Sequence, residues 1–176
     1  MSDLITLSEV PIAAAWNVQG DASRADFIDQ VARHFSIALP VVPNTTGRSD
    51  ALTAFWIGPR SWLLVADAIG SPLAGLGEKR GALNAAGGAL FDLSASRVAY
   101  RLAGARAPEV LASGCPLDLH PRTFRTGDCA QSLFGHVNVL LCKTNDTPTF
   151  VIMVARSFAR DVHLGLQFAA AQYGLQ

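Results

Sequence analysis

Apolar positions in this sequence follow two rhythms, a period of two in short runs and a period near 3.6 in longer ones, with turn-forming residues between them. The first rhythm predicts a strand over 12–18, where Trp16 and Val18 alternate against Asn17 and Gln19 before Gly20 and Asp21 interrupt the run. A helix follows. Phe27, Ile28, Val31 and Phe35 share one helical face, Ser23 is placed to cap the N-terminus, and Asp26 lies in the first turn, where a carboxylate meets the positive end of the helix dipole. Pro40 and Pro43 end this segment and open a polar loop that runs to Asp50.

Short apolar runs at 52–57 and 62–66 flank "GPRS", where Gly and Pro supply turn dihedrals, so the pair reads as a hairpin. A glycine-rich stretch at 72–88 predicts a second, weaker helix. Strands follow at 89–93 and 98–103, the latter with Val98, Tyr100 and Leu102 inward and Arg101 outward. Residues 107–111 form a short helix with Pro108 in its first turn and Gly114 as its stop. Three strands at 130–134, 137–142 and 150–155 precede a final helix with Phe158, Val162, Leu166 and Ala169 on one stripe. The order is βαββα, then ββαβββα. Helices gathered against largely antiparallel sheets make the fold class α+β, with a first half that lacks or has exchanged one strand of the second.

Composition narrows the function. Fourteen basic residues balance fourteen acidic ones, so no overall field favours nucleic acid or an anionic membrane surface. Half of the residues are hydrophobic and the mean hydropathy is +0.28, apolar enough that some surface is expected to face a protein partner. Glu9 and Pro11 interrupt the N-terminal apolar residues, which argues against a secretory signal, and no run reaches the roughly 20 apolar residues of a membrane span. A cytoplasmic protein is expected, and three cysteines fit reduced thiols better than a disulfide framework. On that ground the glycosylation patterns at Asn44 and Asn145 carry no weight.

Several motifs imitate chemistry without its context. Gly75, Gly77 and Gly81, with Asp92 on the next strand, resemble a dinucleotide fingerprint, but Pro72, Leu73 and Ala74 separate them from the strand they should leave directly. Cys115, Cys129 and Cys142 are too far apart for a zinc knuckle, and Cys142 reads as a small buried hydrophobe. His34 and His163 lie within helices, where surface or satisfied histidines are usual. Ser49 lacks the second glycine of an esterase elbow. Cys115 with His120 suggests a nucleophile and base, but no third group orients them.

Residues 113–131, "SGCPLDLHPRTFRTGDCAQ", hold the densest set of reactive side chains, and they also carry a resemblance. "GCPLDLHPRTFRTGDCAQSLF", with "WNVQGD", "ALPVVPNT", "FWIGPRSWLLVA" and "FDLSASRVAYRLAGARAPEVLASGCPLDL" before it and "VLLCKTNDTPTFVIMVARSFARDV" after it, resembles the gamma subunits of heterotetrameric sarcosine oxidases over most of the chain. "GCPLDLHPR" followed by "CAQ" is its most specific part.

The resemblance implies a relative of the folate-binding aminomethyltransferase fold. That is a single compact domain of duplicated ββαβββα-type halves, about 1–87 and 88–176, with exchanged strands. It also implies a complex that demethylates sarcosine oxidatively to glycine, forms peroxide and passes the one-carbon unit to tetrahydrofolate. In that complex beta holds FAD, FMN lies at its boundary with alpha, alpha carries the NAD and tetrahydrofolate sites, and delta binds zinc. The gamma chain is implied to scaffold alpha most directly, with beta and delta as further partners. Val137 and Asn138 stand where the aminomethyltransferases carry an acidic pair, and neither can act as a base, so no catalytic, cofactor or metal residue is expected here. The segment then reads as a constrained crossover, with His120, Arg122, Phe124 and Arg125 as partner contacts, since Arg and aromatics are enriched at interface cores. The competing expectation is a stand-alone folate-binding protein or one-carbon transferase.

Overall fold

A computed structural model describes residues 5–66 and 75–174 of the chain. The first run of elements is β1 (Thr6–Val10), β2 (Ala14–Gln19), α1 (Ala25–Phe35), β3 (Thr46–Arg48), β4 (Thr53–Gly58), β5 (Ser61–Ala66) and α2 (Leu76–Ala85). The second is β6 (Ala89–Asp92), β7 (Arg97–Ala103), α3 (Ala107–Ala112), β8 (Cys129–Phe134), β9 (Val137–Asn145), β10 (Thr149–Ala155), a 3-10 turn at Arg156–Phe158, and α4 (Ala159–Ala171). Among the described residues the order is therefore ββαβββα twice. The expected first half was short of β1 and β3, both of them edge strands.

Two five-stranded antiparallel sheets form, ordered β3-β4-β5-β2-β6 and β1-β7-β10-β9-β8. Each sheet takes the third, fourth, fifth and second strands of one run in that spatial order, and its remaining edge is the first strand of the other run. Accordingly the compact units are Pro11–Ala95 on one side and Met1–Val10 with Ser96–Gln176 on the other. The chain passes between units at Val10/Pro11 and Ala95/Ser96, not once near residue 87.

In the Pro11–Ala95 unit, period-2 burial places Trp16, Val18, Trp62 and Leu64 on one face of the sheet, and period-3.6 burial turns Phe27, Val31 and Phe35 of α1 into the same core. Trp62 Nε1 donates to the Pro40 carbonyl at 2.8 Å, which ties the loop after α1 to β5. The β4–β5 hairpin forms as its turn chemistry predicts. Ser23 does not cap α1. Its hydroxyl donates to Asp21 Oδ1 at 2.7 Å, and Arg24 occupies the N-cap position without a capping bond from its side chain. The weaker helix exists as α2, although Pro72, Leu73 and Ala74 at its expected start lie outside the described residues.

In the other unit, Val98, Tyr100 and Leu102 of β7, Val139 and Leu141 of β9, and Phe150, Ile152 and Val154 of β10 present one face to α3 and α4. From α4, Val162, Leu166, Ala169 and Ala170 fill that core, whereas Phe158 is 46% exposed and lies off the stripe that the periodicity assigned it. The register places it in the 3-10 turn before the helix, where the phase of the face changes.

Candidate functional site

The crossover from α3 to β8 is built on three apolar anchors. Cys115, Leu119 and Phe124 are all buried in the core that α3 and α4 cover. Between the anchors the backbone closes small turns. Gly114 and Cys115 N–H groups both donate to the Leu111 carbonyl, at 3.0 and 2.8 Å, which ends α3. Asp118 accepts the His120 N–H at 3.0 Å on one oxygen and the Thr123 hydroxyl at 2.9 Å on the other. Thr123 and Phe124 N–H groups converge on the His120 carbonyl at 2.8 and 2.9 Å. Asp128 Oδ2 then accepts the Arg125 N–H at 2.6 Å, and Gly127 N–H reaches the Lys143 carbonyl at 2.9 Å, which delivers the chain to β8. Pro116 and Pro121 narrow the unfolded alternatives, so less entropy is lost in holding this shape.

His120, Arg122 and Arg125 stand exposed on these turns. Phe124 does not. It is 7% exposed and its ring stacks on that of Phe150 with centroids 6.4 Å apart, so its assignment as a partner contact is corrected: it anchors the loop from inside. Neither the Arg122 nor the Arg125 guanidinium has an ion pair among the described residues, whereas Asp118 and Asp128 are consumed by the turns. The segment therefore exposes two guanidinium groups while its carboxylates are occupied within its own turns. Periodicity also held a signal that went unread: Leu164 and Phe168, four residues apart on the outward side of α4, are 51% and 86% exposed.

The imitations of chemistry resolve one by one. Cys115 is buried with Sγ 3.7 Å from Ser132 Oγ, and His120 is exposed with Nδ1 accepting the Arg122 N–H at 3.2 Å, so they are not a nucleophile and its base. Gly77 and Gly81 lie within α2, where a Cβ at either would meet no atom within 4 Å, so they shape no phosphate loop, and Asp92 Oδ1 is taken by Ser94 N–H and hydroxyl at 2.9 and 2.6 Å. Among the described residues no group of three or more His, Cys, Asp or Glu side chains could hold a metal ion. Val137 is buried and Asn138 exposed at the start of β9. His163 packs its ring against Tyr100 at 5.0 Å with Nδ1 buried and unbonded, unlike the surface or satisfied histidine expected.

Carboxylates add to what holds the turns. The His120 N–H and then the Thr123 hydroxyl keep the Asp118 carboxyl below the ordinary 3.8, and the Thr126 hydroxyl, with Lys143 behind it, does the same for Asp146. A carboxyl lowered by folding stabilises the folded loop above its unfolded value and loses that contribution as pH falls through the folded value. Lowering the pH from neutral through and below the ordinary carboxylate range should therefore loosen residues 118–126. The amide resonances of that segment are expected to broaden or shift on NMR titration, and Asp118→Asn should loosen the first turn already at neutral pH. Resonances that stay unchanged to the lowest pH would show that the carboxylates do not hold it.

A family model described as "Sarcosine oxidase, gamma subunit family" matches residues 19–172. The chain belongs to that family. Sarcosine oxidase subunit gamma from Arthrobacter sp. is 36% identical to this gamma-family chain over 111 residues, 63% of this chain and 53% of the relative. The protein of that name from Corynebacterium sp. strain P-1 is 33% identical over 117 residues, 66% of this chain and 56% of the relative. The alignments thus span only about half the length of these curated relatives. In three dimensions the gamma-family chain is similar to a chain of the heterotetrameric sarcosine oxidase from Corynebacterium sp. U-96, solved in complex with pyrrole 2-carboxylate. The TM-score is 0.86 at 26% identity, covering 96% of this chain and 85% of that one. No described helix is long and apolar enough to cross a membrane.

Proposed function

We propose that this chain is a non-catalytic gamma subunit of a cytoplasmic heterotetrameric sarcosine oxidase, scaffolding the alpha subunit while other chains carry out the chemistry. The observation that carries the reading is the likeness, across 96% of the chain, to a subunit of a solved heterotetrameric sarcosine oxidase. The repeated ββαβββα order, with each first strand placed in the sheet of the other run, supports a duplicated ancestry and kinship with the folate-binding aminomethyltransferases. In this reading the complex oxidises sarcosine to glycine with FAD and FMN, forms peroxide, passes the one-carbon unit to tetrahydrofolate on alpha, and keeps NAD and zinc on chains other than this one. Docking uses the exposed guanidinium groups of Arg122 and Arg125 against carboxylates of alpha, with His120 as an exposed hydrogen-bonding neighbour and Leu164 and Phe168 as a separate apolar contact.

Affinity capture of a tagged chain from cells grown on sarcosine tests the assignment. Stoichiometric recovery of larger flavin-containing chains with sarcosine-dependent peroxide formation is expected. Arg122→Ala with Arg125→Ala should lower that recovery about tenfold or more while the melting temperature of the isolated chain stays put. Recovery of the chain alone, together with saturable tetrahydrofolate binding by it, would replace the proposal with a stand-alone folate-binding role.

A further inference from the structure

We infer that Cys129 and Cys142 close to a reversible cross-strand disulfide when the chain meets a peroxide-class oxidant. The two residues are direct partners in the antiparallel β8–β9 ladder, so their side chains leave the same face of the sheet. One residue further, Lys143 N–H donates to the Asp128 carbonyl at 3.1 Å, which places the cysteine pair between ladder bonds. In such a non-hydrogen-bonded pair the Cα atoms stand about 4.5 Å apart, inside the roughly 4.4–6.8 Å span that a disulfide bridges. Cys115 is excluded from this pairing. Its sulfur meets Ser132 in the core beneath α3 and α4, whereas Cys129 and Cys142 alternate to the opposite face and belong to no part of that core.

All three cysteines are unbridged thiols in the structure. The closure consumes one peroxide. One thiolate attacks a peroxide oxygen, breaking the O–O bond and releasing water as a sulfenic acid forms. The second sulfur then displaces that oxygen as a further water, so two thiols are oxidised by two electrons and one peroxide becomes two waters. Both thiols are buried, Cys129 completely, so attack requires a local opening. β8 supplies it, because it is the edge strand of its sheet and is held along one side only. The bond would pin that edge where the crossover of residues 113–131 enters it.

The test exposes the full chain to hydrogen peroxide, in buffer and again in urea below the unfolding transition, then unfolds and alkylates it for peptide mapping. Two of the three cysteines should lose alkylation and appear as one linked peptide containing Cys129 and Cys142, faster in urea and reversed by dithiothreitol, with Cys115 fully alkylated. Cys115→Ala should leave the result unchanged, and Cys129→Ala should abolish the link. Full alkylation of all three cysteines after both treatments, or a linkage that contains Cys115, would overturn the inference.

Discussion

Phe124→Ala should destabilise the isolated chain by about 3–5 kcal/mol, because it removes a large ring from a closed core. The ring is 7% exposed and faces Phe150, which is fully buried, so truncation leaves a cavity beneath the crossover rather than a change on its surface. For a chain of this length each kcal/mol corresponds to roughly 2–4 °C, so melting should fall by about 10 °C. The neighbours give the contrast, since Arg122→Ala and Arg125→Ala should each stay within about 0.5 kcal/mol of the parent. Far-UV circular dichroism is the suitable probe. Trp16, Trp56 and Trp62, the only tryptophans, all lie in the Pro11–Ala95 unit and would not sense a loss confined to the other one. A Phe124→Ala protein that melts with the parent would return that ring to the interface.

Gly20→Ala should cost about 3 kcal/mol or more, the upper range for overpacking, because the new methyl has nowhere to go. A Cβ at Gly20 would lie 2.3 Å from one ring carbon of Phe27 and 2.4 Å from the next. The ring cannot retreat, since Gly88 closes its surroundings so tightly that a Cβ there would stand 2.6 Å from it and 2.8 Å from the Gln19 carbonyl oxygen. Phe27 is fully buried and also meets Trp62, with ring centroids 6.1 Å apart, so tryptophan fluorescence reports the damage directly. Shrinking the ring in the same background, Gly20→Ala with Phe27→Leu, should recover part of the loss and yield a coupling of at least about 1 kcal/mol in a double-mutant cycle. Gly77→Ala is the control: its Cβ meets no atom within 4 Å, and helix propensity alone should stabilise the protein by about 0.5–1 kcal/mol. Additive effects at Gly20 and Phe27 would show that the two do not share one slot.

The hairpin of β4 and β5, the inward side of β7 and the buried stripe of α1 were legible because each rests on local spacing: turn residues between two runs, period two, period 3.6. β1 and β3 were not legible. β1 has a half-exposed pattern and β3 is only three residues long, and each exists because a neighbouring strand offers one side of a ladder. Ser23 looked like a cap because its type and position suited one, but Asp21, two residues earlier, took its hydroxyl first. At the candidate site the cations could be read as exposed, whereas Phe124 could not be read as buried, since the fate of an aromatic in a turn depends on whether a core lies beneath it.

By itself the sequence determined much of the local content of this protein: the strongly patterned strands and helices, the absence of a net charge field, and the motif-level likeness to the gamma subunits. Only the tertiary structure decided which strand joins which sheet. β1 pairs with β7, far along the chain, and β6 pairs with β2, although chain order would group both differently. It also decided that Cys129 faces Cys142 while Cys115 lies across the sheet from both. The physical reason is the same in each case. A strand's pattern fixes that its side chains alternate, but its ladder partner and register select the face, and a slip of one residue would exchange the two faces entirely.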